Sequence, residues 1–283
     1  MPALPEIEVI RRDLEREVVG RRFKEIEVRP GSNAMKVIRR HGRRKEFHDL
    51  LVGARVEGVE RRGKWILMEL DNDHVLAVDL GEAGALVKCS ASEGMASHTH
   101  IVLGFTIGGQ LRVIDPKRTG EVFVAPTEQV ARLPELQVAA IDPLDQNPLT
   151  WQHFSTMLAQ RAQTMKGLLM DEHFVVGLGH IYSDEVLFAA GLRFDRVSNK
   201  LSSQDVRRLY RSLVETLQDA VRARGTTWGG DDGFRDLQGH PGTFQLELKV
   251  FDRDGEPCRR CRHQIEKAFW DGRYTYFCPQ CQS

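Results

Sequence analysis

The sequence predicts an α+β protein, and three observations carry that expectation. An amphipathic helix opens the chain, a run of short β-like segments precedes a run of helical ones, and two C-x-x-C pairs lie near the end. Strands collected ahead of helices, instead of alternating with them, mark α+β architecture rather than a parallel α/β sheet.

PEIEVIRRDLEREVVG forms the first element. Ile7, Ile10, Leu14 and Val18 recur at helical spacing, Pro5 sits near the start and Gly20 closes the helix. From Arg22 to about Ala125 the pattern changes to RFKEIEV, ARVEGVE, KWILMEL, HVLAVDL, HIVLGFTI, QLRVID and GEVFVA, with RRG, DND and GG between some of them. Closely spaced short strands with such turn signals predict an antiparallel β-sandwich or barrel. A proline-dotted stretch from Ala125 to Thr150 follows and is expected to be a linker containing one short helix. WQHFSTMLAQRAQ, IYSDEVLFAAG and SSQDVRRLYRSLVETLQDAVRARG are helical, with the glycine-punctuated VVGLGH between the first two. The longest has a serine cap and aligns Val206, Leu209, Leu213 and Leu217. The glycine-rich loop GTTWGGDDGFRDLQGHPGTF comes next, and two short strands accompany the cysteines. The expected division is a helix and β-domain over 1–125, a linker over 126–149, a helical domain over 150–228, a flexible loop over 229–245 and a ribbon over 246–283.

The composition, 41% apolar and 28% charged, is that of a globular protein. No apolar run approaches the ~18 residues of a membrane span, and the amino terminus becomes charged too early for a signal peptide. The expected location is therefore the cytosol or nucleoid, without a membrane partner. Formal net charge is zero, which argues against indiscriminate coating of nucleic acid. The charge is nonetheless uneven: Lys36 to Glu46 carries six basic residues against one acid, and RRGK and CRRCRH add further basic clusters.

Cys258-x-x-Cys261 and Cys278-x-x-Cys281 are separated by sixteen residues, the spacing of a four-cysteine zinc site. Two-residue gaps let both thiolates of a knuckle face one tetrahedral ion. Four sulfur ligands leave no open position, so one structural Zn2+ is expected. Two disulfides are the competing reading, and nothing else in the chain suggests export. Cys89, alone in a strand-like segment, is expected to be a small buried hydrophobe.

Three features together resemble the formamidopyrimidine-DNA glycosylase and endonuclease VIII family. These are the start Met1-Pro2-Ala3-Leu4-Pro5-Glu6, the stretch KGLLMDEHFVVGLGHIYSDEVLFAAG, and the carboxy-terminal ribbon introduced by FQLELKVFDRDGEPC. The resemblance spans the chain. It implies a β-sandwich, a helix–two-turn–helix domain and a zinc ribbon. It also implies base-excision repair of damaged DNA by a glycosylase with abasic-site lyase activity, acting as a monomer.

Removal of Met1 would leave Pro2 with a secondary amine, and an α-amino pKa of roughly 8 keeps a useful fraction nucleophilic near neutrality. By resemblance, Glu6 supports the sugar near its ring oxygen and Glu185 helps hold the terminal amine. Lys64 reaches the phosphate beside the lesion. Lys166 and His180 bind the DNA backbone around the glycine loop, where the family usually has asparagine at the position of His180. His98, Lys117 and Arg118 supply further DNA contacts. Arg273 grips phosphate from the ribbon and takes part in the second elimination.

Two departures stand out. The family's glutamate after the catalytic proline is Ala3 here, and alanine cannot relay a proton, which puts the glycosylase step in doubt. The residues that fill the space of a flipped base, commonly methionine, arginine and phenylalanine, match Glu82, Lys117 and Thr119. A carboxylate and a threonine make poor wedges, so an unusual lesion preference is expected: single-stranded, already distorted or bulky substrates. The alternative is a catalytically weakened protein that binds damaged or abasic DNA. A zinc-ribbon protein binding RNA or a protein partner is a third reading.

Overall fold

The structure is a computed structural model that describes residues 2–30, 34–137, 140–145, 147, 149–230 and 233–283. Met1, and with it the expected trimming, lies outside the described residues, as do parts of the expected linker and of the loop after Gly229. The chain divides into two compact units. One comprises Met1–Val138 with Arg224–Thr243, and the other Ala139–Ala223 with Phe244–Ser283.

The first unit begins with helix α1 (Leu4–Val18), whose stripe Ile7, Ile10, Leu14 and Val18 is at most 2% exposed. Strand β1 (Phe23–Val28), helix α2 (Arg44–Leu51) and strands β2 (Val56–Arg62), β3 (Trp65–Leu70), β4 (His74–Asp79), β5 (Ala85–Cys89), β6 (Thr99–Phe105), β7 (Gln110–Ile114) and β8 (Glu121–Pro126) follow. They pair antiparallel in two four-stranded sheets, β1-β6-β7-β5 and β2-β3-β4-β8. Ile26, Leu86, Ile101 and Leu103 of one sheet and Val56, Ile66, Met68, Leu76 and Val78 of the other share one core with the α1 stripe. This is a sandwich rather than a closed barrel.

Two elements have no counterpart in the sequence reading. Helix α2 grows from the basic run because Phe47 and Leu51 bury one face while its charges stay outside. Strand β5 carries Leu86 into the core; Cys89, at its end, is half-buried rather than buried, with Gln110 as neighbour. Short helix α3 (Thr127–Val130) ends the sandwich.

The second unit holds α4 (Trp151–Ala159), α5 (Met165–Met170), α6 (Gly179–Ala190) and α7 (Ser203–Arg222). Ser202 caps α7 by accepting from the Asp205 N–H, and Gly191, at φ 69°, ends α6 in the left-handed region. Two strands, β9 (Glu266–Trp270) and β10 (Arg273–Phe277), form the ribbon hairpin. Phe188 of α6 packs with Val250, Ile265, Cys258 and Cys278. Consequently α6 is the helix against which the ribbon folds.

Residues 224–243, the larger part of the expected loop, belong to the first unit. Leu237 is wholly buried in the sandwich core, and its carbonyl accepts the Lys88 N–H at 2.7 Å.

Candidate catalytic and nucleic-acid-binding site

Pro2 lies buried at the head of α1. Ala3 occupies the N-cap and offers no side-chain acceptor, so the orphan N–H groups of the first turn lack the usual cap. Glu6 answers from within the helix. Its carboxylate accepts the Ala3 N–H at 2.8 Å through one oxygen and the Thr226 N–H at 2.7 Å through the other. Glu6 is 3% exposed, and in this structure its carboxylate holds the turn that carries Pro2. Further along the helix, Glu8 meets Arg11, Arg12 and Arg61. Burial opposes its charge, but those guanidinium bonds win and keep its carboxyl below the ordinary value.

Lys64 stands half-buried at the β2–β3 turn, electrostatically engaged with Asp79 of β4. Desolvation pushes the Asp79 carboxyl up, and Glu121, its direct cross-strand partner, adds to the shift; Lys64 and the Gly81 N–H work against it.

The 115–120 loop is built around Asp115, which is 1% exposed. Its carboxylate accepts the N–H groups of Lys117 at 3.1 Å, Arg118 at 2.8 Å and Gly120 at 2.8 Å, an Asx-type closure that presents the Lys117 and Arg118 side chains. Arg118 is held at φ 58°. The carbonyl of His98 accepts the Asp115 N–H at 3.1 Å, tying the exposed His98 to the same loop. The 80–84 turn closes on it too. A Cβ at Gly81 would stand 2.5 Å from the Gly120 nitrogen, so only glycine allows this approach. Glu82 donates its N–H to Thr119 Oγ1 at 2.9 Å, and its carboxylate meets Lys117 Nζ at 3.1 Å. The three positions matched to the wedge therefore form one self-paired group.

Lys166 is 0% exposed, with Nζ donating to Ser183 Oγ at 2.7 Å, Asp184 Oδ1 at 2.7 Å and the His180 carbonyl at 3.0 Å. Three acceptors use all three ammonium hydrogens, so in this structure Lys166 organises the turn around His180. Burial drives the Lys166 ammonium down and the Asp184 carboxyl up, while their mutual attraction opposes both shifts. Asp184 also accepts from the Thr275 hydroxyl and, at 3.1 Å, from the Tyr276 N–H. It thereby fastens β10 to α6.

Arg273 is exposed at the start of β10, opposite Trp270. His180, in the first turn of α6, has its ring 6.5 Å from the Trp270 ring. Desolvation, then the charges of Lys166 and Arg273, push His180 down to about 4. Its Nδ1 is buried without a hydrogen-bond partner. A neutral imidazole at a helix N-terminus, beside an exposed arginine, suits an anionic ligand.

Glu185, expected beside the terminal amine, gives both carboxylate oxygens to the N–H groups of Lys249, Val250 and Phe251, at 2.8, 2.9 and 2.9 Å. Burial raises its carboxyl and those three donors counter the rise. It fixes the loop leading into the ribbon.

The cysteines meet as their spacing requires. All four Sγ atoms lie within 4.8 Å of one another; Cys258–Cys281 and Cys261–Cys278 are 3.9 and 3.4 Å apart. A tetrahedral ZnS4 site with bonds of about 2.3 Å has edges of about 3.8 Å. The donor set and spacing fit zinc.

Asp115, Asp184 and Thr226 were missed by sequence reasoning. Asp115 carried a signal, the D-P of a tight turn, whereas the partners of Asp184 and Thr226 are distant along the chain.

Comparison with known proteins agrees across the whole length. The profile of the formamidopyrimidine-DNA glycosylase N-terminal domain matches residues 1–122, that of the formamidopyrimidine-DNA glycosylase H2TH domain residues 139–230, and that of the zinc finger found in FPG and IleRS residues 255–283. A formamidopyrimidine-DNA glycosylase of Geobacillus kaustophilus is 38% identical over 287 residues, covering 100% of both chains. One from Pelotomaculum thermopropionicum is 34% identical over 282 residues, covering 100% of this chain and 99% of that relative. Among solved structures, a complex between the Lactococcus lactis Fpg and an abasic site containing DNA superposes with a TM-score of 0.87 at 29% identity, covering 100% of each chain. The MutM (Fpg) protein of Thermus thermophilus gives 0.84 at 33%, covering 99% of this chain and 98% of that one.

Proposed function

Because this chain belongs to the formamidopyrimidine-DNA glycosylase family, we propose that its Pro2 nitrogen is the nucleophile of a base-excision-repair DNA glycosylase and abasic-site lyase. The observation that carries the assignment of Pro2 is its placement at the head of α1, where Glu6 fixes the following peptide through the Ala3 N–H. The amine attacks C1′ of the damaged nucleotide as the glycosidic electron pair leaves with the base, and the new ammonium loses its proton to water. The C1′–O4′ bond then opens, its electron pair leaving on O4′, which takes a proton from water, and C1′ and the proline nitrogen form an iminium. The iminium acidifies the C2′ proton; its loss expels the 3′ phosphate, and water adding at C1′ releases the amine and leaves the sugar as an unsaturated aldehyde.

Other residues supply positioning and charge. Lys64, His98, Lys117 and Arg118 on the first unit, and His180 and Arg273 on the second, bind the DNA backbone. One Zn2+ on Cys258, Cys261, Cys278 and Cys281 holds the ribbon and with it Arg273; when bound it supplies structure, not chemistry. The protein works as a monomer in the cytoplasm. The division proposed with it is a catalytic helix and sandwich over 1–125, a linker over 126–149, a helix–two-turn–helix domain over 150–228, a lesion loop over 229–245 and a ribbon over 246–283, although the compact units put Arg224–Thr243 with the sandwich.

The lesion preference is unusual. Glu82, Lys117 and Thr119 satisfy one another, so none is an apolar wedge, and extrusion of a paired base lacks the inserted contacts that offset its cost. Single-stranded or already distorted DNA is the preferred substrate. Ala3 supports a second reading, a damage-binding protein with a weak glycosylase step, because proton relay by the missing carboxyl contributes ~10²–10⁴-fold in such reactions.

The test is borohydride trapping on an oligonucleotide with one abasic site, using protein whose amino terminus is verified as Pro2. A covalent adduct that disappears when that amine is blocked is the expected result. Tight binding of the same DNA without an adduct refutes the nucleophile and favours the binding reading.

A further inference from the structure

We propose that Arg224 is a positioning residue for the Pro2 nucleophile, clamped by Asp13 and Asp236 so that the Thr226 N–H is delivered to Glu6. The inference rests on the Pro2 reading. Arg224 begins the segment that returns to the first unit. Its guanidinium forks onto Asp13, with Nη1 donating to Oδ1 at 3.1 Å and Nη2 to Oδ2. Nε and Nη2 also reach Asp236 Oδ2, at 2.9 and 2.6 Å. Asp13 and Asp236 are 0% and 1% exposed; Arg16 also meets Asp13 from one turn along α1, whereas Arg224 is the guanidinium that meets Asp236. Neither acid can be left alone there without a large desolvation cost.

Both ends of the clamp are rigid. Asp13 sits on α1, beside Leu14 and one turn from Ile10, both in the core. Asp236 accepts the Gln238 and His240 N–H groups, at 3.0 and 2.9 Å, through its other oxygen, and the next residue, Leu237, is locked in the sandwich. Arg224 is held at φ 61°, a strained value for a side-chain-bearing residue that glycine would adopt freely. The clamp offsets that strain. Gly225 follows at φ 84°, and a Cβ there would lie 2.9 Å from Glu6 Oε1. The backbone therefore runs directly over the Glu6 carboxylate, and the next N–H, from Thr226, lands on Oε1 at 2.7 Å. The other oxygen holds Ala3, the residue bonded to Pro2. A continuous path thus runs from the clamp, through two backbone residues and the Glu6 carboxylate, to the peptide carrying the amine. With Ala3 providing no cap, Glu6 is the side chain that fixes this turn, and Arg224 fixes Glu6.

Arg224→Gly is the discriminating variant, because glycine keeps the φ 61° backbone and removes only the fork. Arg224→Gly/Asp236→Asn is its companion, in which Asp236 is not left as an uncompensated buried charge should the single variant fold poorly, while Asp13 keeps Arg16 in both. Full-length zinc-loaded proteins are assayed for the single-turnover rate of borohydride trapping on abasic DNA and for affinity toward a tetrahydrofuran abasic analogue. Both variants are expected to trap about tenfold more slowly, with affinity within about twofold of the parent. In a cycle with Glu6→Gln, the combined variant should be no slower than Glu6→Gln alone within about twofold, since one path is cut at two points. Unchanged trapping, or losses that multiply with those of Glu6→Gln, overturns the coupling while leaving Pro2 in place. A parent protein that forms no adduct overturns the Pro2 reading itself, and this proposal with it.

Discussion

Replacing Lys166 with methionine separates a structural lysine from a DNA-binding one. Lys166→Met keeps a long apolar stem but leaves Asp184, 1% exposed, without its cation. Breaking a buried ion pair from one side costs about 3–5 kcal/mol. The Thr275 hydroxyl and Tyr276 N–H remain to stabilise Asp184, which favours the lower half of that range. For a body of this size the loss corresponds to a melting-temperature decrease of about 10–20 °C. The defect has a sign in pH. Burial already raises the Asp184 carboxyl, and Lys166 is the largest influence holding it down; without the lysine the folded value rises further above the unfolded one. A carboxyl raised in the folded state gives stability that is present below its unfolded pKa of about 3.9 and is lost as pH rises through the folded pKa. The deficit of Lys166→Met should therefore be larger at pH 8 than at pH 5, and Lys166→Met/Asp184→Asn should recover most of it. Thermal unfolding of the zinc-saturated protein measures this. Below the melting transition, the salt dependence of DNA affinity supplies the second reading. Lys166→Met should leave the slope of log K against log salt unchanged, whereas Arg273→Ala should reduce it by about 0.9, the value of one phosphate contact. A Lys166 variant of parental stability whose slope falls by that amount would refute the structural assignment.

Further expectations concern the site itself. Ala3→Glu should raise base-excision rate by ~10²-fold or more, while abasic-site trapping changes little, because only the first step needs a base expelled; equal effects on both would show that position 3 acts otherwise. Glu82→Met/Thr119→Phe should improve excision from duplex relative to single-stranded DNA, and an unchanged ratio would count against the wedge argument. Chelation of zinc should release the Cys258–Cys281 knuckles and abolish the Arg273 contribution to DNA affinity while the sandwich stays folded, as read by circular dichroism and binding together. His180 is pushed down to about 4 from 6.5. A base lowered in the folded state favours unfolding wherever the unfolded chain takes up the proton first, so stability should fall as pH drops from 6.5 toward 4, and His180→Asn should flatten that limb.

Zinc ligation and most of the elements are local properties, and the sequence determined them. Two-residue gaps suffice to place four thiolates around one ion. A 3.6-residue stripe suffices for α1, and alternating apolar residues between turns define seven of the eight sandwich strands. Helix α2 was hidden because charge dominated its composition, although Phe47 and Leu51 were enough to bury one face. The functional side chains were legible as types and positions but not as roles. Lys166 looked like a surface cation, yet its three oxygen partners come from a helix that begins thirteen residues later, and the β10 groups fastened by its counterion, Asp184, come from the ribbon. Glu6 looked like a group at the sugar and Glu185 like one that holds the terminal amine, and each accepts backbone N–H groups delivered from far along the chain. Tertiary structure alone decided that Arg224, Asp13 and Asp236 meet. A pairing of Asp13 with Arg224, at a separation of 211 residues, leaves no periodicity to read; a buried carboxylate gathers guanidinium partners wherever the chain can bring them, Arg16 from the next turn and Arg224 from the far end of the sequence.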